Sequence, residues 1–274
     1  ATPKQLVLFR FLPTIPFFLV LTVGFRRSSW STLRTLPKML PHMFLFGLFG
    51  VVFYNFALNT GQTKLPSSLA ALVISLNPTA IAIVAALSLK ELPRMRTWGG
   101  LFLGLIGIII VVIGRTGTPE LRHEYLVGVL ITLGAPVSWG IYSTGLRRFA
   151  PQIGAVRATS LSMLTGTIPL LFLIDGKTVA LLQSPARFHI SYLFLGVVCT
   201  VFGFTGWAAV LKRLPAAQAG TFIYLVPLIA AIAGYTMLGE PLDVPLLLGG
   251  LLVLSGVALA TGTLHQILRW FKIR

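Results

Sequence analysis

Apolar residues run through this chain in long, nearly unbroken stretches separated by short polar segments. Nine such stretches stand out, over roughly residues 5–24, 39–58, 65–89, 97–114, 125–146, 155–174, 189–211, 216–238 and 244–263. Each holds about 18 to 25 residues, the length at which a helix rising 1.5 Å per residue crosses about 30 Å of hydrocarbon. A membrane β-barrel would need segments of about ten residues alternating apolar and polar. The run "LFLGLIGIIIVVIG" does not alternate. The pattern therefore predicts an all-α integral membrane protein, a polytopic bundle with nine helices present. The first stretch lacks the small-residue cleavage site of a secretory leader and is expected to stay as a helix.

Composition agrees with the pattern: 55% of residues are hydrophobic, 10% are charged and the mean hydropathy is +0.89. That is more apolar surface than a soluble domain of this size encloses. The net charge of +16 would suit a nucleic-acid binder, but its distribution excludes one. Assigned alternately to two sides, the loops place fifteen of the 22 Lys and Arg residues on one side, among them Arg26, Arg27, Arg34, Lys38, Arg94, Arg96 and Lys272. Such a bias marks the cytoplasmic side and puts the C-terminus there. Membrane lipids, not nucleic acid, are the expected partners of these cations.

Two of the six acidic residues close apolar runs in the same way: Glu91 in "LKEL" and Glu240 in "LGEP", 149 positions apart. Laying residues 65–114 over 214–263 without a gap matches fourteen of fifty positions, including Leu65 with Leu214, Pro78 with Pro227, Glu91 with Glu240, Gly100 with Gly249 and Gly107 with Gly256. Apolar composition alone does not pair prolines and glutamates, so the chain reads as two copies, residues 1–118 and 119–274. The loop charges put Glu91 on the cytoplasmic side and Glu240 on the other, which makes the copies inverted, as in many secondary transporters. Inversion needs an odd number of helices in each copy. The second copy supplies five and the first only four, so the expectation is two five-helix repeats with the first helix absent.

The stretch "FYNFALNTGQTKLPSSLAALVISLNPTAIAIVAALSLKELPRMRTWGGLFLGLIGIIIVVIG", with a second copy ending "LGEPLDVPLLLGGLLVLSGVALATG", resembles the EamA-type transporters of the drug/metabolite transporter superfamily. The resemblance covers essentially the whole chain. It implies a permease or exporter in a bacterial or archaeal plasma membrane, moving a small organic metabolite by alternating access through a central cavity.

Polar and aromatic side chains at membrane depth are the candidates for contact with that solute: Tyr54, Asn55, Asn77, Trp139, Tyr142, Trp207 and Tyr224. Each amide or hydroxyl in hydrocarbon needs a partner, and for any single residue an interhelical hydrogen bond explains it as well. Pro78 and Pro227 remove helical hydrogen bonds and are expected to bend their helices, with Glu91 and Glu240 as structural or gating groups. A carboxylate at a helix C-terminus opposes the macrodipole, so a cation or a following helix N-terminus should compensate each. Gly100 and Gly104 form a small-residue face, and Gly196, Gly203 and Gly206 are expected to thin a second helix for close packing. Arg10 and Arg157, near the starts of their helices, are expected to snorkel to headgroups, the alternative being that they hold an anionic group.

The set suggests an amino acid or similar amphipathic solute, read by hydrogen bonds and aromatic faces. No stretch carries Asp, Glu or Lys near its centre, where proton relays are marked by charge. An enzyme is disfavoured, since there is no H-E-x-x-H, no G-x-S-x-G and no Cys/His grouping; neither metal nor cofactor is expected. The alternative class is a lipid-handling or structural membrane protein.

Overall fold

A computed structural model describes residues 2–24, 30–88, 95–115, 119–213 and 225–262. The described residues are helical almost throughout and contain no strand. In chain order the helices are α1 (Pro3–Phe11), α2 (Ile15–Gly24), α3 (Trp30–Gly47), α4 (Tyr54–Gly61), α5 (Ser67–Ile74), α6 (Asn77–Ser88), α7 (Met95–Arg115) and α8 (Pro119–Ile153), followed by α9 (Ala155–Leu171), α10 (Gly176–Ala180), α11 (Ala186–Leu193), α12 (Gly203–Arg213), α13 (Leu225–Leu238) and α14 (Val244–Thr261). Several join into longer rods. Among the described residues six spans are long and apolar enough to cross a membrane: Pro3–Val23, Pro37–Gly61, Ser67–Ser88, Met95–Arg115, Arg122–Phe149 and Ala186–Trp207. A seventh apolar helix, Ala155–Leu171, is followed by a 109° bend, and Ile229–Leu238 and Val244–Ala260 are shorter apolar helices. The chain is an all-helical polytopic membrane protein.

The chain divides into two compact units, residues 1–59 with 141–213 and residues 60–140 with 214–274. This division differs from the two sequence copies: each unit contains one part of each copy. The cuts fall at nearly equivalent places, since residue 59 plus 149 is 208.

In the unit of residues 60–140 and 214–274, α7 packs along α14. A Cβ on Gly100 would lie 2.2 Å from the Gly256 carbonyl oxygen, and one on Gly107 would lie 2.5 Å from that of Gly249. Gly249 and Gly256 are the repeat equivalents of Gly100 and Gly107, so the contact is reciprocal: each early glycine of one helix meets the late glycine of the other. Two equivalent helices crossing antiparallel in this way have the contact pattern of an isologous, two-fold interface. Leu69, Leu72, Val73, Leu76, Ile108, Val111, Val253 and Val257 fill the adjoining core.

In the unit of residues 1–59 and 141–213 the same correspondence recurs. A Cβ on Gly47 would meet the Ser162 carbonyl oxygen at 2.2 Å, and one on Gly196 would meet the Arg10 carbonyl oxygen at 2.7 Å and Pro13 at 3.0 Å. Gly196 and Ser162 stand 149 residues after Gly47 and Pro13. Both copies also widen to π-helix, over Leu48–Phe53 and Phe194–Phe202. Gly203 and Gly206, expected as packing sites, meet nothing within 4 Å among the described residues. Gly196 alone of the three makes the close approach.

The ends are fixed by short-range chemistry. Thr2 and Gln5 form a capping box on α1, with Thr2 N donating to Gln5 Oε1 at 2.8 Å and Gln5 N to Thr2 Oγ1 at 3.3 Å, satisfying amides that the first turn leaves without partners. Asp175 caps α10 and receives the Lys4 ammonium at 2.8 Å. That hydrogen bond from Lys4, with those from Thr178, holds the Asp175 carboxyl well below the usual range. Asp243 caps α14 by accepting from Leu246 N at 3.0 Å, and α14 closes on Gly262 at φ 77°, a left-handed conformation suited to glycine.

Candidate functional site

Two groups of polar side chains stand inside the spans, one in each unit. In the unit of residues 1–59 and 141–213 the group is built on the π segments. A π turn displaces carbonyls from the regular ladder, and polar side chains answer them here: Asn55 Nδ2 donates to the Val51 oxygen at 2.8 Å and to the Gly50 oxygen at 3.4 Å. Thr200 Oγ1 donates to the Leu195 oxygen, five residues back, at 2.9 Å. Asn55 and Thr200 are 1% and 0% exposed. Arg10 joins the two: Nε donates to Thr200 Oγ1 at 3.0 Å and Nη1 to Asn55 Oδ1 at 3.1 Å, while the guanidinium carbon lies 5.7 Å from the Phe11 ring centroid. The Tyr54 phenol and the Cys199 thiol are close enough to feel its charge.

Arg10 therefore does not snorkel; it turns inward onto the polar groups of the π segments. Arg157 is also buried, donating through Nε to the Thr22 carbonyl oxygen at 3.2 Å. Each finds its acceptor inside the bundle. Tyr142, predicted at the site, is buried, with its hydroxyl bonded to Thr159 and its ring edge-on to Phe204, 6.2 Å between centroids. Its ring fills the notch at Gly50, where a Cβ would come within 2.7 Å of it. Trp207 is half-buried on α12.

In the other unit the group surrounds a break in the span Ser67–Ser88. α5 stops at Ile74, Ser75 and Leu76 form a turn, and α6 starts at Asn77. Ser75 Oγ donates to the Leu72 oxygen at 2.6 Å and Leu76 N to the Val73 oxygen at 3.1 Å, ending α5 with local bonds. Pro78 then occupies the first turn of α6, where its missing N–H costs nothing. It sits beyond an interruption, not at a kink inside a continuous helix. Pro227 lies in the first described turn of α13. Asn77 and Thr79 are 6% and 0% exposed, and Asn77 Oδ1 and Thr79 Oγ1 have no hydrogen-bond partner among the described residues. Trp139 is half-buried on α8. Tyr224 and Glu91 lie outside the described residues.

Glu240 answers the question its sequence position raised. Gly239 at φ 68° turns the chain back, and Glu240 Oε1 accepts from Ser67 N at 2.7 Å and Ser67 Oγ at 2.6 Å, with Oε2 accepting from Ser68 N at 3.1 Å. The compensating group is the N-terminus of α5, earlier in the chain, and not a cation or the following helix. Burial pushes the Glu240 carboxyl up, and the hydrogen bonds from Ser67 and Ser68 outweigh it, holding the group below the ordinary value. Beside it Arg115 reaches both Asp243 oxygens, through Nε at 3.0 and 2.8 Å, and Ser68 Oγ through Nη1 at 3.3 Å. The carboxylate serves as a helix cap and a clasp between chain ends.

Among the described residues no three His, Cys, Asp or Glu side chains gather as a metal site. What gathers instead is amide, hydroxyl, guanidinium and aromatic chemistry inside apolar spans. The profile of the EamA-like transporter family matches residues 1–113 and 126–262. The chain belongs to the EamA-like transporter family.

An uncharacterized transporter of Archaeoglobus fulgidus is 30% identical over 257 residues, covering 93% of this chain and 87% of the relative. A probable terminal-alkyne amino-acid exporter of Streptantibioticus cattleyicolor is 26% identical, covering 82% and 74%. A probable amino-acid metabolite efflux pump of Salmonella typhimurium is 25% identical, covering 77% and 71%. A solved crystal structure shares the fold at a TM-score of 0.62 and 22% identity, over 95% of this chain and 87% of that one. This EamA-like chain is thus a membrane transporter, not an enzyme.

One feature of the groups is absent from the sequence pattern. The π segments carry no composition that separates them from ordinary helix, although a polar residue four or five positions after a carbonyl is what fills them. Thr200 could have been found by that rule; it stands inside "VVCTVFGF", the one hydroxyl of an otherwise apolar run.

Proposed function

We propose that the chain is a permease that exports a small amphipathic organic solute, an amino acid or a close derivative, by alternating access between two inverted copies. The observation that carries this reading is where the buried polar side chains stand. Thr200 occupies one π segment and Asn55 follows the other, bonded back to its carbonyls, while Asn77 and Thr79 follow the break in Ser67–Ser88. Irregular backbone at membrane depth is tolerated where it is enclosed or faces a wet path, and transporters build their solute sites at such interruptions. The relatives named for amino-acid export support the solute class, and the reciprocal contact of α7 with α14 supports the inversion. Asn55, Tyr54, Asn77, Trp139, Tyr142, Trp207 and Tyr224 are the residues we assign to solute contact, with Pro78, Pro227, Glu91 and Glu240 shaping the helices around them.

Cells expressing the protein should release preloaded L-phenylalanine or L-leucine faster than control cells. Trp139→Ala should reduce that release more than it reduces folded yield. Equal loss of both would remove Trp139 from the solute path. The C-terminus and the segment from Arg26 to Lys38 share the cytoplasmic side in this reading. Cysteines placed there should resist an impermeant thiol reagent applied to intact cells, and labelling from outside would overturn the orientation.

A lipid-handling role is the second reading. Two largely apolar grooves favour it: one lined by Pro16, Phe17, Val20, Leu21, Val201, Phe202 and Thr205, and one by Ile15, Leu19, Leu164, Thr165, Thr167, Ile168 and Leu171. Fluorescent phospholipid crossing reconstituted bilayers without amino-acid flux would favour that reading over export.

A further inference from the structure

Among the described residues no carboxylate pairs with the permanent charge of Arg10. The chain contains six acidic residues. Four have described side chains, and each is engaged elsewhere: Glu124 with Lys64, Asp175 with Lys4, Asp243 with Arg115 and Glu240 with Ser67 and Ser68. The side chains of the other two, Glu91 and Glu120, lie outside the described residues. Arg10 stands six residues into the span beyond Lys4, about 9 Å deeper at the helical rise, so it lies within the hydrocarbon depth of Pro3–Val23. A cation there is expensive, and such residues mark solute or ion paths.

The hydrogen-bond inventory sharpens the point. A guanidinium carries five N–H donors. One on Nε goes to Thr200 and one on Nη1 goes to Asn55; the remaining three find no acceptor among the described residues. Both partners are neutral, both are buried, and both are themselves fixed by carbonyls of the π segments. The guanidinium is thus held in place by its acceptors, while Nη2 and the second N–H of Nη1 have no acceptor among the described residues. That arrangement suits a planar monoanion taking two parallel hydrogen bonds.

We propose that Arg10 is the anion anchor of this transporter, binding the carboxylate of the carried solute, with Asn55 and Thr200 as the residues that position it. The inference rests on the reading of the chain as a solute permease and narrows the solute to one bearing a carboxylate. One guanidinium among neutral neighbours matches a single negative charge. A doubly charged phosphate would call for a second cation, and no other Lys or Arg bonds to these residues among the described side chains. A lipid headgroup is the other source of an anion, and the inward turn of Arg10 onto Asn55 and Thr200 argues against it.

The test compares acids with their amides on the purified full chain. Melting-temperature shifts are titrated with L-phenylalanine and L-leucine, and with L-phenylalaninamide and L-leucinamide, for wild type, Arg10→Gln and Arg10→Lys. Export of the same four compounds is followed in proteoliposomes of neutral phosphatidylcholine. Wild type should prefer acid over amide by at least about tenfold, the size expected of a charged hydrogen-bonded pair. Arg10→Gln keeps donors for its neighbours and should lose the preference, and Arg10→Lys should retain part of it. Equal binding of acid and amide by wild type, or an acid preference that survives Arg10→Gln in a folded variant, overturns the anchor and leaves the permease reading standing. If neither acid nor amide binds or moves, both readings fall. Repeated in vesicles containing anionic phosphatidylglycerol, the acid preference should persist; its loss there would assign the anion site to lipid headgroups and overturn the proposal. Should Arg10→Gln not fold, Arg10→Lys decides by its acid preference: unchanged, it refutes the anchor; weakened, it supports it.

Discussion

The helix pair α7 and α14 and the polar group around Arg10 treat the internal repeat in opposite ways. In the pair the repeat is kept to the residue: Gly100 meets Gly256 and Gly107 meets Gly249, each contact the image of the other. Around Arg10 the backbone correspondence persists, in the two π segments and in Gly47 and Gly196, but the side chains part company. The repeat equivalent of Arg10 is Thr159, that of Asn55 is Phe204, and that of Thr200 is Val51. Where copy one sets a guanidinium on an asparagine, copy two bonds Thr159 to the Tyr142 hydroxyl, beside Phe204. Close packing of backbones admits one solution and holds both copies to it. On the function proposed above, the solute is not two-fold symmetric, and residues assigned to touch it are free to differ.

The largest effect should come from breaking the symmetric contact. Gly100→Leu would drive a side chain into the Gly256 carbonyl and the Ala260 backbone, an overpacking with no flexible neighbour to yield. A cost of about 3 kcal/mol or more is expected, seen as loss of folded protein in size-exclusion chromatography. Gly256→Leu should match it, because the two positions share one interface. A clear difference between them would mean that the contact is not reciprocal.

Next comes the clasp at the end of α5. Glu240→Gln leaves Ser67 and Ser68 with a weaker acceptor and should lower stability by about 1 to 3 kcal/mol. Its pH signature follows from the sign of the shift. The folded carboxyl titrates below its ordinary value of 4.5, so its stabilisation is fully present above that pH and fades as pH falls through the folded value. Wild type should therefore lose melting temperature below about pH 4.5 more steeply than Glu240→Gln. Parallel curves would show that the charge contributes nothing.

Two smaller effects bound the comparison. Gly203→Ala adds a methyl where nothing lies within 4 Å among the described residues; it should be neutral or raise stability by up to about 1 kcal/mol, as alanine does in a helix interior. A loss would reveal a contact that the described residues do not make. Glu124→Gln removes an exposed pair with Lys64 at 3.5 Å and should change stability by less than about 1 kcal/mol.

These cases also show what a sequence can carry. Helix positions were legible because apolar length is a local property, and the duplication because proline, glycine and glutamate have few substitutes at their places. Glycine, however, states only that backbones can approach. Gly196 is tight against Arg10 and Pro13 while Gly203 is open, and nothing within a few residues of either announces the difference. Glu240 was legible as a carboxylate needing compensation, but its partners lie 173 and 172 residues away. Arg10 near a helix start reads the same whether it reaches outward or inward. The choice is made by Thr200 and Asn55, which stand 190 and 45 residues distant, in one π segment and just after the other, features that hydropathy does not register.

The central claim is solute transport by alternating access, and counterflow tests it most directly. Proteoliposomes preloaded with one unlabelled amino acid at a time receive a trace of the same labelled amino acid outside, across the common set. The account predicts, for at least one of them, a saturable transient overshoot that requires internal substrate, because a carrier that exposes its site to one side at a time exchanges faster than it moves solute net. A linear, non-saturating leak for every amino acid tried would contradict it.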